Sequence, residues 1–224
     1  MDKEKRNADI RGSLINGDNM TILVTGFDPF GGETVNPAYE AVKLLPDSIS
    51  GADIVKQLIP TSFRRSGEVL EIAIVRCCPD AVICVGQAGG RAAITPERIA
   101  VNLMDSTSPD NDGYIPTDLP VCEDGENAYF STLPVKEMVS AIKKTGVNAA
   151  LSLSAGTFVC NSLMYRLLYL AETKYPGMRG GFIHVPYLTV QTAGKRPGTP
   201  GMEMCDIVCG LNAAITAVVR SLSR

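Results

Sequence analysis

The sequence predicts an α/β fold: a single-domain three-layer α/β/α sandwich built on a mainly parallel, twisted sheet. Three observations predict it. Short apolar runs rich in β-formers alternate with stretches of helical periodicity along the chain. Two of the strand candidates, Ala81–Val85 and Ala149–Ser154, are apolar or small throughout, as strands covered on both faces are. The composition is that of an ordinary globular domain, with 224 residues, 45% hydrophobic, 20% charged and a net charge of -3.

Taken in order, residues 1–19 are polar and charged, and they read as a flexible extension or tag outside the core. Residues 20–224 form the single α/β domain. Thr21–Gly26, TILVTG, is the first strand. GFDPFGGETVNP follows as a Gly/Pro loop, and Asn36-Pro37 opens a helix that runs to about Leu45. Asp53–Ile59 is a strand stopped by Pro60. Thr61–Arg76 is a helix with Phe63, Val69, Leu70, Ile72, Ala73 and Val75 available for its buried face. Ala81–Val85 is a third strand.

Gly86–Asp105 opens as a Gly-rich loop and turns extended from about Arg98. Ser106–Thr132 reads as a long loop or small hairpin, with an apolar piece near Leu119–Cys122. So long a loop in a compact domain is usually functional or mobile. Pro134–Lys144 is a helix. Ala149–Ser154 then reads as a buried strand, and Ala155-Gly156-Thr157 as a tight turn. The helix that follows carries Leu163, Met164, Leu167, Leu168, Leu170 and Ala171 at helical spacing and stops at Pro176. Gly181–Leu188 is a last strand, Gln191–Gly201 a loop, and Met202–Leu222 the final helix.

The mild acidity gives no reason to expect nucleic acid or an anionic membrane as partner. No run of about 18 apolar residues suggests a transmembrane helix, and the N-terminal residues lack the apolar core of a signal peptide. Seven cysteines without framework spacing point to free thiols in a reducing cytoplasm. No metal site is expected: there is one histidine, no C-x-x-C pair, and no partners near Cys77-Cys78 or Cys205/Cys209 to complete a zinc set.

Four stretches fall beyond the carboxyl ends of predicted strands, where open α/β sheets bind ligands: the loop after Gly26, the loop after Val85, Cys160 and His184. A free cysteine usually packs as a small apolar residue. Cys160, however, stands at a predicted helix N-terminus, where unpaired N–H groups and the helix dipole favour the nucleophilic thiolate. A cysteine nucleophile needs a base, and His184 is the one candidate. A carboxylate orienting that ring would complete the set. Glu97 is a candidate, in competition with Asp28 and Asp105, and spacing does not choose among them. Neither Gly-rich loop matches a nucleotide-binding pattern. Phe27 and Phe30 bracket Asp28-Pro29 in a loop, where they suit an apolar wall for a small flat ligand.

GFDPFGGETVNP, GQAGGRAAITPERIAVN, SAGTFVCN and GGFIHVPY together resemble the pyroglutamyl-peptidase I (pyrrolidone-carboxylate peptidase) family of cysteine peptidases, from about Thr21 to the last helix. The resemblance implies a cytosolic enzyme that cleaves the amide bond after an N-terminal pyroglutamyl residue of small peptides. It implies no cofactor, and often a homotetramer. It maps the catalytic glutamate, cysteine and histidine onto Glu97, Cys160 and His184, and the walls of the ring pocket onto Phe27, Phe30, Phe158 and Val159. Gln87 is implied in substrate binding, and Arg91 lies near the nucleophile in the family. A competing reading is another thiol-dependent, glutaminase-like amidase on an α/β fold.

Overall fold

The computed structural model describes residues 19–223. The extension expected at residues 1–19 lies, Asn19 apart, outside them. The elements run β1 (Thr21–Phe27), α1 (Pro37–Leu44), β2 (Ser48–Ile49), β3 (Ala52–Ile59), α2 (Arg65–Cys77), β4 (Ala81–Gln87), β5 (Thr95–Pro96), β6 (Ile99–Val101) and β7 (Ala128–Phe130). Then come α3 (Val135–Lys144), α4 (Val159–Thr173), β8 (Arg179–Val185), β9 (Tyr187–Leu188), a 3-10 turn (Thr189–Thr192), β10 (Gly201–Met202) and α5 (Met204–Leu222).

The main sheet has the order β2-β3-β1-β4-β8-β5. Its centre is parallel, and only the short end strands β2 and β5 run antiparallel to their neighbours. Side-chain alternation along the strands divides the core in two. Ile22, Val24, Ile83, Val85, Ile183 and Val185 pack with α1, α3 and α5. Leu23, Val82, Cys84 and Phe182 pack with α2 and α4. That is the three-layer sandwich.

Helix starts follow local chemistry where the sequence supplies it. Asn36 Oδ1 accepts the Ala38 N–H at 3.0 Å, and Pro37 occupies the first helical turn. α4 has no side-chain cap. Its place is set by burial of Leu163, Met164, Leu167, Leu168 and Leu170. Each such side chain contributes about 1.5–3 kcal/mol, against about 0.3–1 kcal/mol for a charge at a helix end. α5 is long and apolar enough to cross a membrane by length and composition. Its Ile207, Leu211, Ala214, Ile215 and Val218 face is buried in the α1/α3 layer, so one side of it packs into the core.

Several expectations change. Ala149–Ser154 is not a buried strand: it makes only isolated bridges, Ile94↔Ala149 and Glu97↔Ser152, at the outer edge, and Leu153 is 70% exposed. Small apolar composition cannot tell an edge from a centre. β4 runs two residues further than expected, to Gln87. α2 begins at Arg65, and Ile72 and Val75 lie on its exposed side. The last strand breaks at Pro186, which cannot donate to a ladder; Tyr187-Leu188 pairs instead with Gly201-Met202, so α5 starts two residues late. The long 106–132 segment is framed by the β6–β7 pair and the Met104↔Leu119 bridge.

Candidate active site

β4 and β8 carry the site, because their register puts Gly86 opposite His184. Both lie on the α4 face. A Cβ on Gly86 would stand 3.0 Å from Cys160 Sγ and 2.7 Å from Phe182 Cζ, so only glycine lets the nucleophile's helix come this close. β5 pairs with β8 antiparallel, Thr95 opposite His184, and the Glu97 N–H bonds the Phe182 carbonyl at 2.9 Å. That pairing brings Glu97 to the histidine.

His184 Nδ1 lies 2.7 Å from Glu97 Oε1, and both residues are almost wholly buried. A carboxylate only accepts, so Nδ1 carries the proton and Nε2 holds a free lone pair. The ring packs tilted against Phe182, with 4.7 Å between centroids. Arg91 Nη1 donates to the same Glu97 oxygen at 2.5 Å and to Thr95 Oγ1 at 2.6 Å, and its Nη2 donates to the Ser154 carbonyl. Arg91, expected beside the nucleophile, therefore has its guanidinium committed to Glu97. Asp28 and Asp105 are employed elsewhere: Asp28 accepts the Thr61 N–H at 2.7 Å, and Asp105 takes the Asp118 N–H.

Cys160 is the second residue of α4. The first backbone bond of this helix runs from Ser162 N–H to the Phe158 carbonyl. The N–H groups of Val159, Cys160 and Asn161 have no acceptor among the described residues, which leaves three donors beside Sγ. Asn161, to which the sequence reading gave no role, anchors this end: its Oδ1 accepts Val101 N–H, and its Nδ2 donates to the Val101 and Leu103 carbonyls. A polar residue next to a candidate nucleophile is the only sign the sequence offers.

The aromatic residues meet near this point. The Phe30 and Phe158 rings are 6.0 Å apart, and Phe63, missed in the sequence, meets Phe158 edge-on at 5.2 Å. Phe27 packs behind them against Phe182, and Val159 is fully buried in the core. The β1–β4 ladder stops at Gly26↔Val85, whereas β4–β8 continues to Gln87↔Val185. Gln87 thus extends past its neighbour on the β1 side.

The charge states follow from burial. Burial opposes ionisation of Glu97, yet His184, then Ser152 and Arg91, outweigh it and hold the carboxyl below its usual range. Burial pulls His184 below its ordinary value, against the opposing pull of Glu97. Burial pushes the Cys160 thiol up to about 12, and the charge of Glu97 adds to the rise. At Cys160 the loss of water works against the helix end, which favours the thiolate.

A buried carboxylate hydrogen-bonded to a histidine, with a cysteine nearby at a helix start rich in free donors, is an arrangement that suits thiol-dependent hydrolysis. The pyroglutamyl peptidase family model matches residues 20–221. The chain belongs to the pyroglutamyl peptidase family. Members of this family are cysteine peptidases. The chain is 58% identical over 200 residues to pyrrolidone-carboxylate peptidase 1 of Streptococcus pneumoniae, covering 89% of this chain and 93% of that one. It is also 58% identical over 201 residues to the Thermosipho africanus pyrrolidone-carboxylate peptidase, covering 90% and 98%. The crystal structure of Bacillus amyloliquefaciens pyroglutamyl peptidase I superposes with a TM-score of 0.87 at 46% identity, over 90% of this chain and 98% of that one.

The charge states of this family member carry a stability prediction. Both Glu97 and His184 are held below their ordinary values in the fold. The unfolded chain therefore binds more protons, and stability rises with pH. The His184 contribution is complete above the ordinary histidine value and is lost as pH falls through the folded value; Glu97 repeats this in the carboxylate range. The urea midpoint should drop from pH 7.5 to 5.5 and again to 3.5. A flat midpoint would show that neither group is shifted.

Proposed function

We propose that the chain, read as one catalytic domain over residues 20–224, hydrolyses the amide bond after an N-terminal pyroglutamyl residue of peptides, using Cys160, His184 and Glu97. The observation that carries this is the Glu97–His184 bond at 2.7 Å, with Cys160 against the register neighbour of His184. His184 Nε2 takes the thiol proton as Sγ attacks the scissile carbonyl, and the same nitrogen then protonates the leaving amine. The free N–H groups of Val159, Cys160 and Asn161 receive the oxyanion. Water, deprotonated by His184, cleaves the thioester and restores the thiol. Glu97 stabilises the imidazolium formed in each half, and Arg91 holds the carboxylate in place.

Pyroglutamate is a neutral lactam with an apolar ring edge. Phe30 and Phe158 give it an apolar wall, with the buried Phe27 and Val159 backing it, and the edge of Gln87 beyond the β1 ladder offers backbone polar groups for the lactam amide. An ordinary N-terminus brings an ammonium, which such a wall leaves unpaired. The unmodified enzyme should release coumarin from a pyroglutamyl amide at least 10⁴-fold faster than from a glutaminyl amide, since sites that read polar groups discriminate by about 10⁴–10⁵. Comparable rates on the two substrates would favour a general thiol amidase.

We read the enzyme as cytoplasmic, supported by seven free cysteines in the fold. We read it also as a homotetramer, supported by exposed Leu44, Cys205 and Cys209, which border a groove along α5.

A further inference from the structure

The lactam seat is made from two pieces of chain that the main sheet does not join. One is the loop after β1, which carries Phe30. The other is the end of β4 at Gln87, past the last β1–β4 partner. A polar knot on the far side of Gln87 joins them, and Gln191 is at its centre.

Gln191 sits in the 3-10 turn, only 9% exposed. Its Oε1 accepts the Leu188 N–H at 2.9 Å. A backbone N–H only donates, so this bond fixes which end of the amide is oxygen. Its Nε2 then faces Glu33 Oε2 at 3.0 Å, the Val35 carbonyl at 3.2 Å and Gln87 Oε1 at 3.1 Å. The first two are acceptors only, which confirms the assignment and forces Gln87 to present its oxygen. One amide thus ties the loop after β1, the end of β4 and the segment following His184. Lys195 closes the knot: its Nζ reaches Glu33 Oε1 at 2.5 Å and lies 4.4 Å from the centre of the Tyr187 ring. That ring fills the space beside Gly89, where any Cβ would fall 2.1 Å from Tyr187 Cζ. The Gly-rich loop after β4 is held by the same residues.

We propose that Gln191 is a positioning residue for substrate specificity, which sets the spacing between the Phe30 loop and Gln87 and so the fit of the lactam ring. Glu33 and Lys195 keep its amide in place. The inference rests on the proposed pyroglutamyl activity. Gln191 lies on the opposite side of Gln87 from Cys160, so it governs ring binding and leaves the reacting atoms alone.

The test uses the full chain and two probes, a pyroglutamyl-coumarin amide for turnover and 2-pyrrolidone for binding, the latter read by its protection of Cys160 from iodoacetamide. Gln191→Ala should raise KM, and the protecting concentration of 2-pyrrolidone, by about tenfold, the worth of one to two hydrogen bonds. It should leave kcat within threefold and the unprotected alkylation rate unchanged. Gln191→Glu sets a second carboxylate against Glu33; its KM should be higher still at pH 7.5 and should recover as pH falls and the pair takes up a proton. Adding Glu33→Gln removes the repulsion between the two carboxylates and should bring the KM at pH 7.5 back down to about that of Gln191→Ala, which a variant that merely failed to fold would not allow. A fall in kcat at unchanged KM, or no rescue in the double variant, overturns the proposal. If the unmodified enzyme did not cleave the pyroglutamyl amide, that would overturn the activity. The 2-pyrrolidone protection would still decide the role of Gln191, because an unchanged protecting concentration in Gln191→Ala overturns it.

Discussion

Cys160→Ala and His184→Ala should each abolish release of coumarin from a pyroglutamyl amide while the chain still folds, with the larger fall in thermal midpoint at His184, whose loss leaves Glu97 buried without it. Alanine at position 160 removes the only atom at the start of α4 that can form the thioester. Water attacking directly would keep the oxyanion donors but would lose the covalent step. Alanine at 184 removes the only imidazole in the chain. Loss of water at Cys160 disfavours the thiolate, so the thiol needs a base to take its proton as it attacks. A lost general base costs about 10²–10⁴-fold. The loss at His184 should reach the upper end of that range, because one ring serves both half-reactions. Iodoacetamide separates the roles: His184→Ala should alkylate slowly at position 160, and Cys160→Ala not at all. Near-native turnover by either variant would remove that residue from the mechanism.

Cys160 and His184 stood out in the sequence because their signals are local. A helix start can be read from the turn before it and the apolar spacing after it, and a single histidine leaves no choice of base. Glu97 could not be chosen over Asp28 and Asp105 by spacing. Its contact with His184 spans 87 residues and depends on the antiparallel β5–β8 pairing, formed by a two-residue strand with no pattern of its own. Ala149–Ser154 looked like a covered strand because alanine, serine and leucine serve equally at an edge. Phe63, Asn161 and Gln191 gave almost no signal. Each acts by touching a segment distant in sequence, and one sequence shows residue types without their neighbours.

Glu97→Gln should slow kcat by about 10²-fold or more and should also move the pH profile, which makes it the more discriminating substitution. Glutamine keeps the shape and can still accept from Nδ1, so the ring stays oriented. It carries no charge to stabilise the imidazolium that forms each time Nε2 takes a proton, and it leaves Arg91 without its counterion. In the unmodified enzyme the acid limb of kcat/KM follows protonation of His184, which burial holds below the ordinary histidine value while Glu97 pulls upward. Removing that upward pull, with Arg91 still pushing the ring the other way, lowers the value further. The acid limb of the variant should therefore shift to lower pH even as the plateau drops. The thiol moves in the same direction, since the charge of Glu97 is one of the causes of its rise. If Glu97 only supported the fold, the plateau and the limb would stay in place and the thermal midpoint alone would fall. An acid limb moving to higher pH would mean that the carboxylate does not govern the histidine.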